Sequence, residues 1–280
     1  MPELPEVETI RQSLEGYLIN RRIEALEILH PDVYQNPREL EIVGRQIVAL
    51  TRQGKYLRIE LDDQSFLLIH LRMTGRLLIH PAPAEPSSSE YRPHTHLRFT
   101  LRDEAGEISL LDYQDVRRFG RVGHYLLHHD VISPGYKSLG PDAFSPEFTS
   151  DHLYNYARRF PARPIKALLL DQSVVAGLGN IYVDESLFRA GIRPNRRSGQ
   201  ISRQRLQNLH REIVAILKES IGLGGTSFSD YVDGLGRRGS FIQNLSVYGK
   251  KGKNCPHCGQ PLKCLKIAGR TTVYCTHCQR

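Results

Sequence analysis

The sequence predicts an α+β chain of three consecutive segments: antiparallel β-structure behind an N-terminal helix, a helical segment, and a four-cysteine tail. Three observations predict it. Polar and β-branched apolar residues alternate in the N-terminal half, apolar residues recur at helical spacing in the middle, and the tail holds two Cys-x2-Cys pairs. We expect these segments to form domains at residues 1–130, 131–236 and 237–280.

The N-terminal segment opens with a helix predicted over residues 5–18, where Val7, Ile10, Leu14 and Leu18 share one face. Short strands are expected between Arg22 and Leu127. The clearest are Ile47–Leu50, Tyr56–Leu61, Phe66–Leu71, Leu77–His80, Leu97–Leu101 and Ile108–Asp112. Turns of glycine and charged residues separate them, which favours an antiparallel sandwich or barrel over a βαβ fold. The stretch Pro81–Pro93, rich in proline and serine, is predicted to be a loop.

Helical patterns begin after Gly140. Helices are predicted at His152–Arg159, Ile165–Leu170, Asp184–Ala190 and Arg203–Ile221. The last of them ends where Gly222–Gly225 begins, because glycine is favoured at helix C-termini. The polar, glycine-rich stretch Thr226–Gly239 is expected to be a loop.

Charge is concentrated at one end of the chain. Of a net charge of +8, the tail from Arg237 to Arg280 supplies nine basic residues and no acidic one. A basic tail on a nearly neutral body is typical of a polyanion-binding module, although a solvated tail would have the same composition. No apolar run is long enough to cross a membrane, and the N-terminus lacks the features of a signal peptide. We therefore expect a cytoplasmic, nucleoid-associated protein with no membrane partner.

The tail also carries the strongest metal signal. Cys255, Cys258, Cys275 and Cys278 form two short knuckles, each of which offers two thiolates, and together they complete a tetrahedral zinc shell. Disulfides are the alternative, but a chain without a secretion signal is expected to stay in a reducing compartment. The sequence therefore predicts one structural Zn²⁺.

Five motifs are spread along the chain: Pro2–Thr9, His70–Gly75, Asp115–Gly120, Gly177–Tyr182, and the four-cysteine finger with Arg270. These motifs resemble those of one family, the bacterial formamidopyrimidine-DNA glycosylases. Because they follow the family's order from one end of the chain to the other, the resemblance covers the whole sequence. It implies a glycosylase and abasic-site lyase that removes oxidised purines from duplex DNA, with a helix–two-turns–helix element in the middle segment.

The resemblance makes Pro2 the covalent nucleophile, with Glu3 as the acid and Glu6 in support. Trimming of Met1 would leave Pro2 with a secondary amine, which titrates well below a lysine. Such an amine can attack C1′ of the sugar and form an iminium that drives β- and δ-elimination of the phosphates. The alternative is structural, because proline and acidic residues also favour a helix N-terminus.

Contacts with the DNA backbone are also carried over from the family. Lys55, Asn180 and Arg270 match residues that bind phosphates around the lesion. The glycines before Asn180 permit a tight turn whose backbone N–H groups can also bind phosphate. Lys55 and Arg270 are therefore counted with the catalytic residues. The resemblance further implies DNA contacts for His96, Arg118 and Lys166.

A glycosylase must extrude its target nucleotide and fill the gap in the helix. Met73, Arg117 and Phe119 match the family's void-filling residues, in which apolar wedges prop open the stack and a guanidinium pairs with the orphaned base. Val116 replaces the family's usual proline before two arginines, which could loosen that turn. The stretch Thr226–Gly239 corresponds to the segment that closes over the extruded base.

Two other functions remain open on the sequence. An endonuclease VIII-like glycosylase for oxidised pyrimidines shares Pro2, Glu3 and the finger, and a non-catalytic zinc-finger DNA-binding protein needs only the tail. The motif around Met73, Arg117 and Phe119 favours the purine branch. The expected partner is damaged double-stranded DNA, without a nucleotide cofactor, and the expected state is a monomer.

Overall fold

The computed structural model describes residues 1–82, 91–126, 132–228 and 230–280. Residues 83–90, most of the stretch predicted to be a loop, lie outside them. The helices are α1 (Leu4–Leu18), α2 (Pro134–Lys137), α3 (Ser150–Arg159), α4 (Ile165–Leu169), α5 (Asn180–Arg189) and α6 (Arg203–Gly222). The strands are β1 (Arg22–Ile28), β2 (Tyr34–Gln35), β3 (Ile47–Gln53), β4 (Tyr56–Leu61), β5 (Ser65–His70), β6 (Gly75–Pro81), β7 (Thr95–Arg102), β8 (Ile108–Asp115), β9 (Arg121–Leu126), β10 (Lys263–Ile267) and β11 (Arg270–Tyr274).

The chain forms two compact units. The sandwich unit comprises residues 1–136 and 224–240, and the helical unit comprises residues 137–223 and 241–280. Within the described residues, none of the helices combines the length and the apolar character needed to cross a bilayer.

The sandwich unit contains two sheets with strand orders β1-β7-β8-β6 and β2-β9-β5-β4-β3. Their ladders are antiparallel except for the short parallel pair β2–β9. Inward residues such as Leu57 and Phe99 share one core with the face of α1 that carries Ile10, Leu14 and Leu18. The predicted sandwich with an N-terminal helix is confirmed.

Helix α1 starts at a capped, proline-containing first turn. Glu3 is the N-cap, Pro5 lies in the first turn, and Glu3 and Glu6 form a reciprocal capping box. The helix therefore begins at Leu4, one residue before the predicted start, and Pro2 and Glu3 are held at its buried end.

The helical unit packs α3, α5 and α6 around a buried apolar core and sets the β10–β11 hairpin against α5. Glu185 on α5 accepts N–H groups from Ser246, Val247 and Tyr248 at 2.7–2.8 Å. Phe188 from the same helix packs against the buried Cys255 and Cys275. The finger is thus tied to α5 by both polar and apolar contacts.

The stretch before the finger belongs to the sandwich unit rather than to the helices. Gly234 donates its N–H to the Ser13 hydroxyl at 2.9 Å, and its carbonyl accepts the N–H of Ile79 at 3.0 Å. A Cβ on Gly234 would lie 2.4 Å from Leu14, so only glycine permits this approach. The three expected domains were consecutive, with boundaries after residues 130 and 236. In the structure, each of the two compact units instead comprises two separate stretches of the chain.

Candidate active site and nucleic-acid interface

Three residues predicted to be catalytic lie together at the N-terminal end of α1, with Pro2 and Glu3 directly before the helix and Glu6 in its first turn, and all three are buried. The two oxygens of Glu6 have different partners: one accepts the Glu3 N–H and the other accepts the Thr226 N–H, both at 2.8 Å. Glu6 thereby connects the end of α1 that carries Pro2 to the glycine-rich stretch Thr226–Gly239. This geometry fits a supporting role for Glu6 and leaves Glu3 as the carboxyl group next in sequence to Pro2.

Lys55 lies in the tight turn between β3 and β4, where Gly54 has a φ of +57°, and it is largely buried. Its neighbour His70 accepts the Arg72 N–H on Nδ1 at 3.0 Å. Burial, together with the charges of Arg72 and Lys55, lowers the pKa of His70 to about 3. His70 is therefore neutral near pH 7, and the positive charge around it comes from Arg72 and Lys55.

Met73, Arg117 and Phe119 are brought together at the surface of the sandwich unit. Met73 is 42% exposed and Phe119 is 51% exposed, high values for side chains of this kind. The Arg117 guanidinium donates to the Met73 sulfur at 3.0 Å and lies 4.7 Å from the centre of the Phe119 ring. An exposed apolar pair around a guanidinium has the chemistry expected of a wedge that enters a base stack.

The neighbouring predicted contacts, Arg118 and His96, differ in accessibility. Arg118 is exposed, and its guanidinium contacts the His30 imidazole. His96 is only 7% exposed, and its Nε2 donates to the Asp115 carbonyl at 2.7 Å. His96 therefore supports the backbone from which Arg118 projects and offers little surface of its own.

In the helical unit, Asn180 and Arg270 lie close together. Asn180 begins α5 and donates its side-chain N–H to the Thr271 carbonyl at 3.0 Å, directly beside the exposed Arg270. The turn before α5 is organised by Gln172, whose amide accepts the Gly177 N–H and donates to the Leu178 carbonyl. A helix N-terminus, an amide and a guanidinium together can bind phosphate.

The structure corrects the expectation for Lys166. Its side chain has no solvent exposure, and its ammonium group donates to Asp184 at 2.7 Å and to the Thr271 carbonyl at 3.3 Å. A phosphate cannot reach an ammonium group enclosed in this way. Lys166 stabilises the helical unit from within and lies below Asn180 and Arg270 rather than beside them at the surface.

The four cysteines of the finger converge as predicted. Their sulfur atoms all lie within 4.8 Å of one another, and the nearest cross-knuckle pairs, Cys258–Cys275 and Cys255–Cys278, are 3.5 and 3.8 Å apart. These distances exclude disulfides, in which the sulfurs are about 2.05 Å apart. Four converging thiolates fit one structural Zn²⁺, which has no open position for substrate.

Sequence reasoning missed several polar residues that hold these groups in place. Gln172, Asp184 and Glu185 were not singled out, because each acts through partners that are distant in the chain or on the backbone. The one available signal was that all three lie within five residues of the Gly177–Tyr182 motif.

Comparison with known families now identifies the chain. Its residues 1–122 match the formamidopyrimidine-DNA glycosylase N-terminal domain, 139–232 match the H2TH domain of the same glycosylases, and 252–280 match the zinc finger found in FPG and IleRS. This chain belongs to the formamidopyrimidine-DNA glycosylase family. The formamidopyrimidine-DNA glycosylases of Geobacillus kaustophilus and Desulforamulus reducens are each 43% identical to it over its whole length and over 99–100% of theirs.

Solved structures of the family agree. A mutant FPG from Lactococcus lactis, in complex with DNA containing Fapy-dG, is 35% identical with a TM-score of 0.88 over the full length of both chains. MutM (FPG) from Thermus thermophilus is also 35% identical, with a TM-score of 0.86 over 99% of this chain and 98% of that one. The predicted fold class, with its sandwich, helix–two-turns–helix element and zinc finger, is therefore confirmed.

Proposed function

We propose that this chain excises oxidised purines, 8-oxoguanine and formamidopyrimidines, from duplex DNA and then cleaves the strand at the abasic site, as the first enzyme of base excision repair. Its membership of the glycosylase family supports this activity, and the family's structures with Fapy-dG DNA support the substrate class. The observation that carries the mechanism is the N-terminal end of α1, where Pro2 and Glu3 are buried beside the Glu6 carboxylate.

The chemistry begins at the Pro2 nitrogen. Once Met1 is removed, this nitrogen is a secondary amine whose lone pair attacks C1′, and the base departs with a proton supplied by the Glu3 carboxyl group. Opening of the sugar ring gives an iminium. The iminium accepts electrons as the 3′ phosphate and then the 5′ phosphate are eliminated, and water releases the sugar fragment and restores the amine.

The remaining residues position the DNA in this proposal. Met73 and Phe119 fill the space left by the extruded nucleotide, and Arg117 meets the orphaned base. Lys55 holds phosphate on the sandwich unit, while Asn180 and Arg270 hold it on the helical unit. Zn²⁺ stabilises the finger that carries Arg270 and takes no part in the bond-breaking steps. We further propose that the protein acts as a monomer at the nucleoid.

The test compares processed protein with protein that retains Met1 or carries an N-terminal tag. Borohydride should trap a protein–DNA adduct only with the processed chain, and mass spectrometry should locate the adduct on Pro2, because an acylated nitrogen cannot form an iminium. The Met1-containing protein keeps every other side chain and should still bind duplex DNA. Glu3→Gln should retain binding but lose base excision by about a hundredfold or more.

Two results would contradict the mechanism. One is normal strand cleavage by the tagged protein, and the other is an adduct on Lys55. A trapped adduct on Pro2 with oxidised pyrimidines as the preferred substrate would retain the mechanism and overturn the substrate class.

A further inference from the structure

We propose that Asp115 is a positioning residue for nucleotide extrusion. Its buried carboxylate fixes the conformation of the wedge loop, defined here as residues 116–119, so that Arg117 and Phe119 stand ready beside Met73. This inference rests on the void-filling role in the proposed function and extends it to a residue that does not itself reach the DNA.

Asp115 is the last residue of β8 and has no solvent exposure. Its Oδ1 accepts the Thr74 hydroxyl at 2.5 Å and the Arg117 N–H at 3.2 Å. Its Oδ2 accepts the Gly120 N–H at 2.8 Å and the Tyr113 hydroxyl at 3.4 Å. One carboxylate therefore binds the backbone inside the wedge loop and the backbone directly after it.

The main chain of Asp115 adds to this arrangement. Its carbonyl accepts the Arg118 N–H at 3.3 Å, which closes a turn, and also accepts His96 Nε2 at 2.7 Å. The exit from the loop is equally constrained, since a Cβ on Gly120 would lie 1.9 Å from the Tyr113 hydroxyl. Both ends of the loop are thus held by the same residue.

Thr74 extends the arrangement to the second wedge segment. Its hydroxyl donates to Asp115 and also accepts the Arg117 N–H at 3.1 Å. Because Met73 directly precedes Thr74, this pair of hydrogen bonds sets the spacing between Met73 and Arg117. It explains how side chains from two distant parts of the sequence meet with a sulfur–guanidinium distance of 3.0 Å.

The loop has little apolar packing to hold it otherwise. All four of its residues, Val116 to Phe119, are exposed. Without the Asp115 hydrogen bonds, ordering of the loop would have to be completed during extrusion, and its entropic cost would fall on that step. The loss should therefore appear in extrusion of a paired base and not in the chemistry at the sugar.

The experiment uses Asp115→Asn, Thr74→Val and a matched control, Asp112→Asn, in the full-length processed protein. Asp112 is also a fully buried carboxylate on β8, but it binds Arg98 at 2.8 and 3.0 Å and His80 at 3.0 Å. The two carboxylates lie on the same strand, so the control removes a comparable buried charge without touching the wedge loop.

Two single-turnover rates are measured for each variant: excision of a paired 8-oxoguanine and cleavage at a pre-formed abasic site. A 2-aminopurine beside the lesion reports extrusion directly. Asp115→Asn should slow excision and extrusion by about tenfold or more, as expected for lost hydrogen bonds to a charged group, and leave abasic cleavage nearly unchanged. Thr74→Val should have a smaller effect of the same kind, and Asp112→Asn should preserve the ratio of the two rates even if its melting temperature falls.

Equal slowing of both reactions by Asp115→Asn, or the same change of ratio in Asp112→Asn, would overturn the inference. If Asp115→Asn does not fold, Thr74→Val decides the question by itself. Failure of the proposed function looks different, because the unmodified protein would then yield no borohydride adduct with oxidised-purine DNA. If Met73→Ala slows excision selectively and Asp115→Asn does not, only the role of Asp115 is lost.

Discussion

Replacing Lys166 by methionine tests whether this lysine stabilises the helical unit from within or contacts DNA. Lys166 and Asp184 are both without solvent exposure, and their charged atoms are 2.7 Å apart. Burial raises the pKa of Asp184 to about 6, although the Lys166 charge and hydrogen bond oppose the rise. Methionine keeps most of the aliphatic volume and removes the charge, so the pKa of Asp184 should rise further and its carboxyl group should be protonated near neutral pH.

The consequence is a pH-dependent loss of stability. When the pKa of a carboxyl group is higher in the folded chain than in the unfolded chain, the free energy of unfolding falls as pH rises, because the unfolded chain releases the proton first. In the parent protein this loss begins near pH 4, where the unfolded carboxyl group has ionised, and ends near pH 6, where the folded one ionises. In Lys166→Met it continues above pH 6 at about 1.4 kcal/mol per pH unit. The difference in unfolding free energy between the two proteins should therefore grow by about 2 kcal/mol from about pH 6 to pH 7.5.

Urea unfolding followed by helical circular dichroism at a series of pH values measures this difference. The double variant Lys166→Met/Asp184→Asn is the control, and its stability relative to the parent should not fall as pH rises above 6, because the titrating group is gone. Duplex binding should keep its dependence on salt concentration in Lys166→Met, since no phosphate contact is removed. The buried role would be refuted if the slope of log affinity against log salt concentration fell by about one while stability stayed unchanged at every pH. That result would indicate a phosphate contact for Lys166.

Three further predictions concern the finger and the wedge loop. Cys255→Ser should unfold the finger and abolish duplex binding while the sandwich unit stays folded, because structural zinc supplies the folding energy of that module; proteolysis and gel shift check this, and unchanged affinity would contradict it. Arg270→Ala should weaken binding to all duplexes alike and lower the salt slope by about one in a fluorescence titration, whereas sequence-dependent losses would exclude a phosphate contact. Val116→Pro should stabilise the protein by about 0.4–1 kcal/mol in thermal unfolding. The reason is that Arg118 closes a turn onto the Asp115 carbonyl, and Val116 occupies the second position of that turn, where proline is favoured. A lower melting temperature would show that the backbone at residue 116 is incompatible with proline.

The sequence predicted the elements whose patterns are local. The helical face of α1 and the alternation of β4 are recorded in their own residues, and the structure confirms them. Strand β9 lies within the region Arg22–Leu127 where strands were expected, but it was not singled out, because its inward position depends on tertiary partners: His124 is fully buried and contacts the Ser65 hydroxyl at 3.0 Å. Helix α5 begins four residues before its predicted start, since Gly179 caps it and the apolar spacing becomes visible only later.

The sequence predicted which residues form the site, but it did not predict which of their side chains are buried. The resemblance located Met73, Arg117 and Phe119, and the structure brings them together. For Lys166 the same reasoning was wrong, because a resemblance transfers a residue's identity without its surroundings. What decides the role of Lys166 is Asp184, which lies one helix away and is not marked by charge pattern or spacing.

Buried carboxylates explain how a DNA-binding surface of this kind holds its shape. The wedge loop and the glycine-rich stretch Thr226–Gly239 include exposed residues, and in the segment Ser246–Tyr248 only Val247 is buried, so apolar packing alone cannot fix them. Each is instead held by backbone N–H groups that donate to a buried carboxylate. The wedge loop and the glycine after it donate to Asp115, Thr226 donates to Glu6, and Ser246–Tyr248 donate to Glu185. Such charge-assisted bonds are stronger than neutral ones and set direction as well as distance. A chain with 30 acidic residues can therefore carry a positive net charge and still use some of its acids to shape the surface that meets DNA.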